Sequence, residues 1–296
     1  MASTTTVQGA TKSTPSRSWV DFVRYRTLHF VGIVVLTIAS ILVLAPFVWT
    51  LATSLRLPTE SFTLPPQWIP RNPDWSNYAR VFDEIEFFRM IFNSAFVAVA
   101  IVVGQLTTAS LAGYAFARLE FPGREALFWI VMATMMIPLQ ATIIPVFVLI
   151  SRMGLNDTLA SLILPSLPTA FGTFLLRQYF MAVPKDFEEA SLIDGANQFQ
   201  IFSRIYLPLV APGLAVLAVL VFNTHWNEFF RPLIFLLSRE NFTIPLGLNV
   251  LKGYMMTGSI SVVLAGVVMS LVPVMLVYAF GQRYLIEGIM MGGVKG

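Results

Sequence analysis

The sequence contains no cysteine, which excludes disulfide scaffolds and thiolate metal sites and leaves the redox compartment open. Its two histidines, His29 and His225, stand far apart, so a histidine-rich metal or proton-relay centre is excluded too. Charge is scarce. Charged residues make up 12% of the chain, against about 25% in soluble domains. The balance of 19 Lys+Arg and 16 Asp+Glu leaves a net charge of +3. No dense basic run occurs, so the pI near 9.3 is no argument for nucleic acid. No glycine-rich loop ending in Gly-Lys-Ser or Gly-Lys-Thr occurs, nor any His-Glu-x-x-His. The chain therefore carries neither a phosphate-binding loop nor a zinc-peptidase motif of its own.

What is abundant is apolar sequence: 56% of the residues, with a mean hydropathy of +0.73. It falls into six charge-poor stretches near the 20 or so residues that cross a bilayer as a helix. They are Leu28–Leu51, Met90–Phe116, Ala126–Ile150, Thr158–Leu176, Leu209–Phe229 and Ile260–Gly281. The expected fold is an all-α integral membrane protein of six transmembrane helices. Residues 1–26 form an N-terminal tail, 27–282 the membrane domain and 283–296 a C-terminal tail. Met1–Ser18 is rich in Ser and Thr and reads as disordered. The apolar core of the first stretch exceeds the 7–15 residues of a signal sequence and reads as an uncleaved anchor. Six spans put both termini on one side. Eleven Lys/Arg fall on that side and eight on the other, which makes it the cytoplasmic side. Prolines 46, 138, 145, 165, 168, 212 and 273 punctuate the spans. Each removes a backbone donor where no water replaces it. Five prolines and two tryptophans between Leu57 and Trp75 point to a folded or interfacial outer loop.

Between the fourth and fifth stretches lies Val183–Pro208, polar yet patterned for order. Pro184 suits a first helical turn, and Asp186, Glu188 and Glu189 complement the dipole behind it. Gly195 can end that helix in a left-handed conformation. Asn197 and Gln200 have the spacing of a capping box for a second helix, with Ala196 and Ile201 at the staple positions. Phe199, Phe202, Ile205 and Tyr206 then recur at helical spacing, and Leu207-Pro208 should close the helix. Periodicity alone leaves open an amphipathic connector lying on the membrane surface.

The residues themselves carry a resemblance. Glu189-Ala190-Ser191, Asp194-Gly195-Ala196, Ile205 and Leu207-Pro208 resemble the EAA loop of ABC importer permeases in every spacing, with Ser191 in place of the usual second Ala. Tyr114-Ala115-Phe116-Ala117-Arg118, Met136-Ile137-Pro138, Trp226-Asn227-Glu228-Phe229 and the closing Gly292-Gly293-Val294-Lys295-Gly296 extend it over nearly the whole chain. The likeness is to carbohydrate-uptake permeases similar to the smaller maltose permease subunit. It implies that the 183–208 loop forms coupling helices seated in a cleft of an ATP-binding subunit. Phe199, Phe202 and Ile205 would offer an apolar knob and Glu189 a charge for a basic group.

The resemblance also implies a bacterial or archaeal cell membrane, a companion permease, an ATP-binding subunit dimer that holds ATP and Mg, and an extracellular or periplasmic substrate-binding protein. This chain itself would hold no cofactor and no metal and would catalyse nothing. The cargo would be a sugar or oligosaccharide, with glycerol phosphate or another polyol as the alternative. A secondary transporter is the rival from another class; it usually needs ionisable groups within its spans, and Glu228 sits near a span end. Asn93, Gln140, Asn223, Asn227 and Glu228 are candidate residues of a translocation path, each weighed against interhelical hydrogen bonding. Gln105 and His225 fall under the same alternative.

Overall fold

The computed structural model describes residues 19–60, 68–253 and 258–293, with side chains from 26 to 284 within those ranges. The tail at 1–18, the centre of the 57–75 loop and the last three residues lie outside the described residues. The secondary structure among the described residues is helical throughout. The chain divides after Thr50 into two units. The first is, in its described part, most of one helix, α1 (Trp19–Ser54), which starts ahead of the boundary at 27 and keeps Pro46 within it.

The second unit holds the core. A short α2 (Ser76–Glu84) leads into the long α3 (Phe87–Arg118). Then follow α4 (Arg124–Ala133), α5 (Leu139–Arg152), α6 (Ala160–Ile163) and α7 (Ala170–Ala182). Next come α8 (Asp186–Ile193), α9 (Gln198–Gln200), a π turn (Ile201–Tyr206) and α10 (Leu207–Leu209). The chain continues through α11 (Ala211–Trp226), α12 (Phe230–Phe235), α13 (Ile244–Val250) and α14 (Ile260–Gly293). The last helix runs past the tail boundary at 283. The central packing is of α3 against α7 and of α11 against α3 and α14. Small residues set the first of these contacts. A Cβ on Gly113 would stand 3.0 Å from the Arg177 amide nitrogen, and one on Gly172 would stand 3.1 Å from Ala109 Cβ. The two backbones approach this closely only because the side chains are missing.

Three helices, Arg26–Ser54, Phe87–Arg118 and Ile260–Tyr284, are long and apolar enough to cross a membrane. The other three stretches are broken pairs, giving six spans if each pair counts as one. Arg124–Met136 and Leu139–Arg152 meet at 99°, Ala160–Ser166 and Ala170–Ala182 at 45°, and Gln198–Leu209 and Ala211–Trp226 at 73°. Each break falls at or beside a proline: Pro138, Pro168 and Pro212. The missing amide and the clash with the preceding turn account for this. Pro46, Pro145 and Pro273 stay inside continuous helices. At the fourth span's break the freed carbonyls find side chains from α3. Gln105 Nε2 donates to Ser166 O at 2.7 Å and Thr108 Oγ1 to Leu167 O at 2.8 Å, as a waterless environment requires.

The loop between α5 and α6 is fixed by Asp157, which adopts φ +56°. Its carboxylate accepts from the amides of Leu237 at 2.8 Å and Ser238 at 3.0 Å and from the Ser238 hydroxyl. Desolvation raises this carboxyl's pKa, but those bonds and one from Asn241 outweigh it and bring it down to about 2.

Candidate functional site

The 183–208 segment is a helical hairpin whose turn is defined by backbone bonding. After α8, Gly195 takes φ +79°. Its amide donates to Leu192 O at 3.0 Å, and the Ala196 amide donates to Ser191 O at 3.0 Å. This pair of bonds is the Schellman arrangement, with glycine at its left-handed position. Asn197 opens the second arm with the full reciprocal box. Gln200 N donates to Asn197 Oδ1 at 2.9 Å, and Asn197 N donates to Gln200 Oε1 at 2.8 Å. Ile201 is fully buried, and half-buried Ala196 packs against the same cluster. The local expectations for the turn therefore hold.

Two expectations for the second arm do not. Leu207-Pro208 does not close the helix: after the π turn, in which the Leu207 amide reaches back to Phe202 O, helix continues to Leu209. The bend comes at Val210, before Pro212. The residue before a proline is biased against helix, but Leu207 keeps helical angles, φ −57° and ψ −45°, and a proline tolerates the early positions of a helix. The apolar knob also needs revision. Phe202 is 7% exposed and sits in the core, and Ile205 is half-buried. Phe199, 71% exposed, projects instead, together with Phe187, Leu192 and Ile193 of the first arm. Glu189, Ala190, Asp194 and Pro208 are exposed; Ser191 and Leu207 are half-buried. The Ser191 hydroxyl is spent on Phe187 O at 2.6 Å.

Tyr206, which spacing placed on the apolar face of the second arm, and two side chains of α3 that spacing did not single out for this site bind the hairpin to the bundle. Tyr206, fully buried, donates its hydroxyl to Glu188 Oε2 at 2.7 Å. Tyr114 of α3 donates to Gln198 Oε1 at 2.9 Å. Arg118 lies over the Tyr206 ring, 4.8 Å from its centroid, and donates to Phe180 O and Val183 O. For the two α3 residues the available spacing signal was that Tyr114 and Arg118 are four apart and so share a helix face. A cleft of about 710 Å³ runs beside the hairpin, lined among others by Arg118, Glu120, Lys185, Glu188, Glu189 and Gln198.

Of the candidate path residues, Asn223 and Asn227 are brought together, while Asn93 and Gln140 stand apart from them. Asn93 is buried and donates to Glu240 O and Phe242 O at 2.9 and 3.0 Å, which makes it a clamp. Glu228 is paired with Arg231, and His225 Nδ1 lies 3.0 Å from its carboxylate. Arg231 also reaches Ser166. Gln140 is exposed. Asn223 and Asn227 are exposed neighbours on one helix face, with Asn227 Nδ2 donating to Asn223 Oδ1 at 3.2 Å.

Residues 105–286 match the family described as binding-protein-dependent transport system inner membrane component. The chain is 34% identical over 287 residues to the arabinooligosaccharides transport system permease protein AraQ of Halalkalibacterium halodurans, covering 96% of this chain and 99% of that protein. It is 32% identical over 265 residues to the sn-glycerol-3-phosphate transport system permease protein UgpE of Yersinia enterocolitica, covering 87% and 94%. A chain in the crystal structure of a bacterial ABC transporter involved in the import of the acidic polysaccharide alginate superposes with a TM-score of 0.76 at 30% identity, over 92% of this chain and 99% of that one.

Proposed function

The chain belongs to the inner membrane components of binding-protein-dependent transport systems, and from that premise we propose that it forms half of the translocation pathway of an ABC importer for a sugar or oligosaccharide. The observation that carries this reading is the hairpin. A Schellman turn and a capping box hold Glu189 and Phe199 outward on two short arms. Such an ordered, exposed, mixed polar and apolar projection suits a socket in a soluble subunit better than lipid.

In this reading the hairpin couples the pathway to ATP hydrolysis by a partner that holds ATP and Mg. The other half of the pathway is a companion permease, and cargo arrives on a binding protein. The hairpin and both termini face the cytoplasm; 57–89 and 231–252 face outward. Asn223 and Asn227 line the path, their amides meeting hydroxyl groups of the cargo. The likeness to permeases for arabinooligosaccharides and to a chain of an alginate importer supports carbohydrate. The likeness to UgpE favours glycerol phosphate as the second reading.

The test is to express the chain with its companion permease, the ATP-binding subunit and the binding protein. Co-purification of the ATPase and uptake of an oligosaccharide, outcompeting glycerol phosphate, are the expected results. Assembly without an ATPase would overturn the coupling role; preference for glycerol phosphate would select the second reading.

A further inference from the structure

A coupling element must be stiffly joined to what it moves, and α8 lacks the usual means. It buries no residue; Phe187, Leu192 and Ile193 point outward. Without an apolar face packed on the bundle, a helix this short has little to hold its orientation. Its backbone joins the second arm through the glycine turn, and its side-chain tie to that arm is Glu188 to Tyr206, 2.7 Å. Tyr206 in turn is held on every side. Its ring packs with Tyr114 and Phe180 at centroid distances of 5.4 and 6.0 Å, and the Arg118 guanidinium covers it. Arg118 meanwhile grips Phe180 O and Val183 O, the carbonyls at the end of α7 just before the first arm begins. One arginine on α3 thus touches the hairpin where it starts and where it ends. Tyr114, one turn earlier on α3, ties the second arm through Gln198.

We propose that Tyr206 and Arg118 are positioning residues for energy coupling, which lock both hairpin arms to α3 and α7 so that movement of the ATP-binding subunits enters the second and fourth spans as rigid-body displacement. The proposal rests on the coupling role of the hairpin given above. The hydrogen bond to Glu188 is charge-assisted and anchored by a buried ring, which makes it short and directional. Arginine is required at 118 because its planar fork serves two carbonyls while its face covers a ring. Lysine, a point charge, does neither together. The device adds a path into α3, which is remote in sequence from the hairpin and is not reached through the backbone links to the fourth and fifth spans.

The experiment uses the assembled complex in lipid vesicles, with loaded binding protein, and reads cargo transported per ATP hydrolysed. Tyr206→Phe removes one oxygen and keeps the ring in its aromatic cluster. Its transport per ATP should fall about 5- to 10-fold, the scale of one net intramolecular hydrogen bond. The amount of assembled complex and the half-maximal concentration of binding protein should stay unchanged, which loss of fold alone would not produce. Glu188→Ala should match it, and the double variant should be no worse than either single, since both delete the same bond. Arg118→Lys should uncouple similarly, and it serves as the test if Tyr206→Phe does not assemble. Wild-type transport per ATP in these variants overturns the tether. Glu189→Lys, outside the tether, separates the two ideas. Uncoupling there with full coupling in Tyr206→Phe removes the tether and leaves the docking role. Full coupling in both removes both.

Discussion

Substitution of Gly195 isolates backbone strain from every other effect. A Cβ built there meets nothing within 4 Å, so a side chain brings no clash, and the whole penalty comes from φ +79°. For an ordinary L-residue the left-handed conformation costs about 1–2 kcal/mol. Asn, which enters that region with local hydrogen bonding, pays less, and β-branched Val pays most. The turn is held by two hydrogen bonds of 3.0 Å, which the strain opposes directly. A shift of 1–2 kcal/mol changes the population of the closed turn by about 5- to 30-fold. Glu189 and Phe199 stand on opposite arms, so opening the turn separates the two groups that the socket must meet together. ATP hydrolysis by the purified complex, with and without loaded binding protein, should therefore rank Gly, Asn, Ala, Val in decreasing stimulation, with assembly unchanged. Equal stimulation in the Val and Asn variants would refute the reasoning, since it would mean that the left-handed turn is not needed for coupling.

Three further outcomes follow from other sites. Asp157→Asn keeps the tolerated φ +56° but loses the carboxylate, and it should lower stability by about 1 kcal/mol, the value for charged hydrogen bonds discounted for exposure, read as a lower melting temperature. The carboxyl's folded pKa of about 2 lies below its unfolded value of about 3.9, so its contribution is complete above about pH 4 and lost as pH falls through 2. The difference between wild type and Asp157→Asn should accordingly stay constant from about pH 5 to 8. Gly213→Ala places a Cβ 2.6 Å from Tyr179 Cγ, the first atom of the ring and not its flexible far end, and should cost about 1–3 kcal/mol; an unchanged melting temperature in detergent would contradict it. Asn197→Cys, in a chain without native cysteine, should resist an impermeant thiol reagent in intact cells and react in inverted vesicles; labelling from outside would reverse the orientation.

The parts of the hairpin that could be read in advance are those whose bonds close within a few residues. Gly195, Asn197 and Gln200 each bond within five positions, so residue type and spacing were sufficient to place the turn and the box. The π turn was not readable, because Ile201–Tyr206 has no residue that distinguishes a wide turn from an α turn. The inward rotation of Phe202 was missed for a related reason. Periodicity finds an apolar face but does not say whether a neighbour already covers it, and here Tyr114, Phe180 and Tyr206 do. Asn93 and Glu228 were ambiguous because an amide or carboxylate in a span serves cargo or neighbour equally well; their partners come from residues 240, 242 and 231. The span count was legible from hydropathy. Which prolines break a helix was not: Pro138 and Pro168 do, while Pro46, Pro145 and Pro273 do not.

The contacts along α3 make it a ruler. Gln105 and Thr108 cap the break in the fourth span, and Tyr114 and Arg118 hold the hairpin. From 105 to 118 is 13 steps, which at 1.5 Å each is about 20 Å. The fourth span runs between the same two sets of contacts, from Ser166 to Val183, by another route, through its own kink. Two rods pinned at both ends cannot change length independently. A single residue inserted into or deleted from α3 between these pins would throw both sets of contacts out of register and turn one set off its face by about 100°. Substitutions along this stretch are therefore a matter of chemistry at one position, whereas its length is shared by every contact at either end, and variation among related chains should be found in the identity of these residues and not in their number.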